Sequence, residues 1–406
     1  MRVSAFTSAY VFARLANGQR LLVGKLELLN DLGIFKYDSG WLDHPLAYPL
    51  DPVNLPLAPR EYRTRNSKGV FGVFSDAGPD DWGTRILLMQ QKSAPKNELE
   101  RLLRTSGGGV GVLEFSLSRT APREHPGFPG IELLDSLADT AAKIENRARL
   151  TSEQLALIEP GSSMGGARPK VVVADGEAAW LVKFSRPADL VDLPRLEFAT
   201  LQLMKHVGFY VPEIALRDLG AGRTAFLSRR FDREPQSPVH FISANSLFNI
   251  DRLRPVRNSL QNPYSYVNLA NIIRRHVADP ERDCLELYRR MLLNIFIGNT
   301  DDHARNHALI FDTVEMAWQL SPAYDVLPTI GGNRGRQAMG VGSEGGDSTA
   351  ANALSYCKLF MLTESQARKL IAEILDLAKT LPDYAVVAGM RDGDVEIVRG
   401  YLREGA

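Results

Sequence analysis

The sequence predicts an α+β protein that passes from a mixed α+β N-terminal part into a mainly helical C-terminal part. Three observations carry that prediction. Short runs with period-two alternation and turn residues between them dominate the first 240 residues. Helical periodicity takes over in Ser243–Phe248, Tyr266–His276 and Pro280–Gly298. The densest run of chemically capable side chains, Gly298 through Ala308, closes the last of these helical stretches. The chain accordingly divides into 1–150, an α+β subdomain, 151–240, a second α+β part, and 241–406, the helical part.

Bulk properties set limits. A chain of 406 residues buries a substantial core, and 44% hydrophobic with 24% charged residues is ordinary globular composition. Formal net charge is zero, so no global basic field argues for sequence-specific nucleic-acid binding by this chain. Cys284 and Cys357 lie far apart and form no CxxC, which fits a reducing compartment. No apolar run reaches the ~18 residues of a membrane span, and Met1 to Val11 lacks a leader pattern, so a cytoplasmic protein without membrane contact is expected.

Within the first 150 residues, Tyr10–Leu15 and Arg20–Leu26 alternate around Asn17-Gly18, a dipeptide suited to a type I′ hairpin turn. Gly33–Asp38 and Leu46–Leu50 read as further strands. Asp80 is placed to cap a helix from Trp82 to Met89, and Leu99–Leu103 reads as helix ending at Gly107-Gly108-Gly109. The glycine triplet reads as a tight turn or an anion-binding loop, and Val110–Leu117 returns to strand. Three prolines make Pro122–Pro129 a connection, and Leu133–Leu150 is helical.

The middle segment holds a Gly/Ser-rich stretch, Ser162-Ser163-Met164-Gly165-Gly166-Ala167-Arg168-Pro169-Lys170, ahead of the strand Val171–Ala174. It fits neither the Walker A nor the GxGxxG pattern, and alone it is equally a structural turn. The next strand, Ala179–Phe184, ends on Lys183, with Trp180, Val182 and Phe184 alternating to one face. A helix follows from Leu193 to His206 with Glu197 in its early turns. A strand lysine that neutralises nucleotide phosphates, paired to a helix glutamate, is what protein kinases need. A solvated strand-end lysine and a helix-start glutamate favoured by the dipole are the plain alternatives.

In Gly298-Asn299-Thr300-Asp301-Asp302-His303-Ala304-Arg305-Asn306-His307-Ala308, Asn306 follows Asp301 by five residues. Two short apolar runs, Ala308–Phe311 and Met316–Leu320, then read as a hairpin leading to Pro322-Ala323-Tyr324-Asp325. Asp, Asn and a later Asp past a hairpin is the spacing of phosphoryl transfer, in which the first carboxylate receives the hydroxyl proton and the other two groups hold Mg²⁺. His303 and His307 have the four-residue spacing of zinc ligands, but Ala304 stands where the general-base glutamate of H-E-x-x-H belongs. Lys183, Glu197 and Asp325 arriving in order make this a bilobal protein-kinase-like plan.

These pieces together resemble the HipA-type serine/threonine kinases, the toxins of bacterial toxin–antitoxin modules. Gly24-Lys25-Leu26, Phe35-Lys36-Tyr37-Asp38 and Gly108-Gly109-Val110-Gly111 resemble the family's N-terminal part. Arg230-Phe231-Asp232-Arg233, Asn299–Asn306 and Pro322–Asp325 resemble its most specific signatures. The resemblance implies Mg²⁺ and ATP as cofactors, with Asp301, Asn306 and Asp325 catalytic and Asn306 and Asp325 holding the metal. It implies that Ser163, Gly165, Gly166, Ala167, Lys183 and Glu197 bind the nucleotide. Ser163 would be the autophosphorylation site, with adjacent Ser162 leaving the assignment open. A protein substrate of the translation machinery, such as an aminoacyl-tRNA synthetase, and a helix-turn-helix antitoxin bridging to operator DNA would be the partners. Two departures stand out: His240–Asn245 differs from the His-Gln-Glu-Asp run of well-known members, and Arg229 occupies a frequently acidic position. A small-molecule phosphotransferase and a catalytically silent kinase-like module that binds a regulator are the rival readings.

Overall fold

In the computed structural model, the described residues are 6–15, 17–91, 93–105, 107–121, 125–158, 168–220, 222–233, 238–248, 264–332 and 334–403. Ser162, Ser163, Gly165, Gly166 and Ala167 lie outside them. The chain gathers into two compact units, each built from separate stretches: 1–182, 229–251 and 309–317 in one, 183–228, 252–308 and 318–406 in the other.

A five-stranded sheet organises the first unit, in the order Glu61–Thr64, Leu32–Tyr37, Arg20–Leu29, Ser8–Arg14, Leu113–Ser116. The hairpin expected around Asn17-Gly18 is present: Arg14 pairs with Arg20, and Gly18 takes a φ of 78°, which favours glycine. Alternation explains the burial of Leu26 with Leu28 and of Phe35 with Tyr37, while covered Val23 sits where the register shifts between Val11 and Phe12. Asp80 caps the Asp81–Gln90 helix as expected, its carboxylate accepting from Gly83 N–H at 2.8 Å, and Asp80 also pairs with buried Lys170 at 2.7 Å.

Leu46–Leu50 is not a strand. Pro45 and Pro49 remove two ladder donors, and the segment is held by side chains instead. Buried Tyr48 stacks on Phe311 with centroids 4.3 Å apart, and the Tyr37 hydroxyl accepts from Leu50 N–H at 2.9 Å and donates to Leu55 C=O at 2.6 Å.

The glycine triplet is a tight turn, and its polar groups face cations. Arg230 donates to Gly109 C=O at 2.9 Å, Arg233 donates to Gly107 C=O at 2.9 Å, and the N–H of Gly111 donates to Asp232 at 2.7 Å. Asp232 in turn takes two bonds from the Arg230 guanidinium, at 3.0 and 2.6 Å. Gly109 is required for contact, because a Cβ there would lie 1.9 Å from the carbonyl oxygen of Ala77.

The second unit is helical around Pro280–Phe296, a helix capped by Asp279 and buried along Leu287, Tyr288, Met291, Leu292, Ile295 and Phe296. Leu193–His206, Tyr266–His276 and Glu364–Ala378 are its other long helices, the first two with the bounds expected from sequence. Ala308–Asp312 and Ala317–Leu320 are strands, with 309–317 counting in the first unit, and within the second Ser321 N–H donates to Ala308 C=O at 2.9 Å across the base of the expected hairpin. Both cysteines are buried free thiols, and burial pushes Cys284 up to about 12, which leaves it unreactive.

Burial works against the Asp232 carboxylate, but the Arg230 guanidinium outweighs it and holds Asp232 below the usual range. Its stabilising contribution is therefore present above the unfolded carboxylate value and is lost as pH falls through the lower folded one. Replacing Asp232 with Ala strands a buried guanidinium and is expected to cost about 3–5 kcal/mol in chemical denaturation. The apolar double replacement Arg230→Met with Asp232→Leu is expected to cost less.

Candidate active site

Strand Ala178–Phe184 delivers Lys183, and helix Leu193–His206 delivers Glu197 one turn from its start, after an Asp192 cap and Pro194. The two side chains meet: Lys183 Nζ lies 2.8 Å from Glu197 Oε1 and 2.9 Å from Oε2. Lys183 Nζ also lies 2.7 Å from Asp325 Oδ1, so one ammonium joins strand, helix and the segment after the hairpin. Burial alone would lower the Lys183 pKa, but Asp325 and Glu197 outweigh it and drive the group above its ordinary value. Lys183 is thus a permanent cation.

Asp325 has a φ of 58°, a left-handed conformation that a non-glycine residue adopts at a cost. Its neighbour Tyr324 fixes the turn by donating its hydroxyl to Arg305 C=O at 2.8 Å. That bond also ties Asp325 to the loop carrying Asp301 and Asn306.

The loop begins where helix Pro280–Phe296 stops, at Gly298 with a φ of 71°. Its two adjacent aspartates are separated by burial. Asp302 is 1% exposed and accepts from the Tyr266 hydroxyl and, at 2.7 Å, from His307 Nε2. Asp301 is exposed and carries no side-chain hydrogen bond among those found in the described residues. Burial raises the Asp301 pKa, with Asp325 and Asp302 adding repulsion and His303 partly opposing them. Of the pair, only Asp301 can meet an incoming molecule.

Thr329 holds the backbone of this loop. Its hydroxyl accepts from the N–H groups of Thr300 at 2.9 Å and Asp301 at 3.1 Å, and it donates to Asn299 Oδ1. Asn299 in turn donates to Asn294 at 2.9 Å, and Asn294 donates to the Tyr266 hydroxyl at 3.3 Å. A buried polar chain therefore runs from helix Tyr266–His276 to the backbone of Asp301. Neither Thr329 nor Tyr266 is legible as a site residue in the sequence, since both sit in unremarkable contexts. His307, weighed as a zinc ligand, spends Nε2 on Asp302.

Asn306 is buried, and its Oδ1 has no hydrogen-bond partner. A buried amide oxygen without a donor is costly unless a cation meets it, so it suits a hard metal ion. Among the described residues no three His, Cys, Asp or Glu side chains converge as a metal cage.

Replacing Tyr266 with Phe removes one of two donors to buried Asp302 and is expected to lower stability by about 1–3 kcal/mol, read as a shift in the denaturation midpoint. Faster hydrogen exchange at the Thr300 and Asp301 amides is expected alongside it.

Comparison with known proteins extends this geometry. A family model described as the HipA-like C-terminal domain matches residues 162–381, and one described as the HipA N-terminal domain matches residues 16–116. The candidate kinase Y4mE of Sinorhizobium fredii strain NGR234 is 24% identical over 315 residues, covering 74% of this chain and 73% of its own. A candidate kinase of Haemophilus influenzae is 29% identical over 184 residues, 42% of this chain and 53% of its own. Among solved structures, HipA of Shewanella oneidensis MR-1, determined with HipB and operator DNA, superposes with a TM-score of 0.69 at 16% identity. That superposition covers 96% of this chain and 94% of that one. At such identity the likeness is one of fold, mixed α+β and kinase-like. With the C-terminal model covering more than half of its length, the chain belongs to the HipA family of kinase-type proteins.

Proposed function

We propose that this chain is an Mg²⁺- and ATP-dependent serine/threonine protein kinase. The observation that carries the reading is Lys183 clamped between Glu197 and Asp325, with exposed Asp301 close enough to Asp325 to feel its charge. In the proposed reaction, a substrate hydroxyl attacks the γ-phosphorus of ATP. The hydroxyl proton passes to the Asp301 carboxylate, and the bond to the ADP oxygen breaks. Lys183 offsets phosphate charge, Glu197 fixes the lysine, and Thr329 fixes the Asp301 backbone. Asn306 and Asp325 would hold Mg²⁺, whose role is to neutralise charge on the phosphates.

The Gly/Ser-rich stretch with Gly165, Gly166 and Ala167 is proposed to cover the phosphates, with Ser163 or Ser162 as the autophosphorylation site. A phosphoryl group there adds roughly −1.5 to −2 charge, which opposes a second set of phosphates in the same loop. The segments 1–150, 151–240 and 241–406 then serve as N-terminal subdomain, nucleotide lobe and catalytic lobe. A protein of the translation machinery is the proposed substrate, with growth arrest as the outcome in the cytoplasm. The Shewanella protein was solved with HipB and operator DNA, and that motivates a DNA-binding antitoxin as partner here. Among the described residues no helix is long and apolar enough to cross a membrane.

Asp301→Gln is expected to lower phosphate transfer from labelled ATP by roughly 10²–10⁴-fold, the usual worth of a general base. Asp325→Asn is expected to abolish it. Wild-type rates in Asp301→Gln would remove Asp301 from the proton-accepting role. Because the Asp301 pKa is raised, the acid limb of the wild-type pH–rate profile is expected above the ordinary aspartate value of about 3.9.

A further inference from the structure

Where strand Ser8–Arg14 of the first unit ends lies a set of guanidiniums that no catalytic reading uses. Arg14 ends strand Ser8–Arg14 and sits directly opposite Arg20 in the ladder, a like-charge pairing that sheets ordinarily avoid. Arg20 is satisfied by Glu114, 2.8 Å away, and Arg230 by Asp232. Arg14 and Arg233 have no carboxylate at hydrogen-bond distance among the described residues, although Arg233 donates to the Gly107 and Gly109 carbonyls. The side chain of Arg233 is 8% exposed, and its Nε lies 3.7 Å from Asp232, beyond hydrogen-bond length. The Nε–H of Arg14 and that of Arg233 are both buried without a partner. Hydrogen bonds to backbone carbonyls bring these residues onto one segment: Arg14 N–H donates to Val112 C=O at 3.0 Å, and the Arg233 guanidinium donates to Gly107 C=O at 2.9 Å and to Gly109 C=O.

We propose that Arg14 and Arg233 form a binding site for a phosphoryl anion, separate from the catalytic loop. Arg14 feels the charges of Arg20 and Arg230, Arg233 feels those of Arg230 and Arg14, and the carboxylates acting on both are Glu114 and Asp232. Burial, with repulsion from Arg230, draws Arg233 down to about 9, and burial also lowers Arg14. Burial is the first cause of both shifts, and the two buried Nε–H groups require an acceptor that the protein does not supply. A dianion with several acceptor oxygens meets that requirement, and Arg forks match it geometrically. The anion is carried either by a free phosphate compound or by a phosphorylated side chain.

The test follows the melting temperature of the full chain during titration with inorganic phosphate, at constant ionic strength set with chloride. All proteins carry Lys183→Met, so that phosphate at the proposed nucleotide site does not contribute. Saturable stabilisation is expected, weakened by about tenfold or more on adding Arg14→Met, which keeps the aliphatic stem and drops the charge. In phosphate-free buffer Arg14→Met is expected to melt at or above its parent, because a repulsive charge is gone. Phosphate acting no better than chloride would overturn the site. So would an Arg14→Met chain that melts well below its parent or fails to fold, because Arg14 would then be a structural cation. A phosphoserine peptide run beside inorganic phosphate assigns the source: tighter binding of the peptide indicates a protein-borne phosphate, and equal binding indicates a small anion.

Discussion

The structure of the candidate site depends on one ammonium group. Lys183 touches Glu197 on one side and Asp325 on the other, and it stays charged because two carboxylates outweigh the cost of its burial. Each partner comes from a different kind of element: a strand end, the first turns of a helix, and a turn held at positive φ. Loss of the lysine would leave two carboxylates facing each other across a desolvated space, so the residue organises the site before any nucleotide arrives. The strain at Asp325 makes sense in that light. A left-handed aspartate persists only when its surroundings over-determine it, and the salt bridge together with the Tyr324 bond to Arg305 does so.

Burial sorts the polar residues of the loop into two groups. Asp302, His307, Tyr266, Asn294 and Asn299 face inward and hydrogen-bond to one another in a chain, which gives the loop a firm base, while Asp302 Oδ1 and His307 Nδ1 have no partner. Asp301 faces outward, and Asn306 keeps one buried oxygen without a donor. Adjacent aspartates of identical chemistry thus play different parts, because one is a hydrogen-bonded anchor and the other is accessible.

Much of this was legible in the sequence. Lys183, Glu197, Asp301, Asn306 and Asp325 stand out because residue type, spacing and local periodicity coincide, and helix Leu193–His206 was legible to the residue. The buried anchors were not, because their roles come from tertiary contacts: Thr329 acts on a backbone 28 and 29 residues away. Leu46–Leu50 misled, since an apolar run broken by prolines looks like a strand but has lost the donors of one. The glycine triplet was ambiguous until its carbonyls met Arg230 and Arg233, after which the anion-binding alternative for the triplet itself fell away.

Membership of the HipA family and a kinase-like fold make nucleotide binding at this site the central claim, and calorimetry tests it most directly. A non-hydrolysable ATP analogue titrated into the full chain, with and without Mg²⁺, reports on binding without requiring the protein target. Tight binding that needs Mg²⁺, and that is lost in Asn306→Leu while the fold is retained, is the predicted result. Binding that ignores Mg²⁺, or that survives in Asn306→Leu unchanged, would contradict the account.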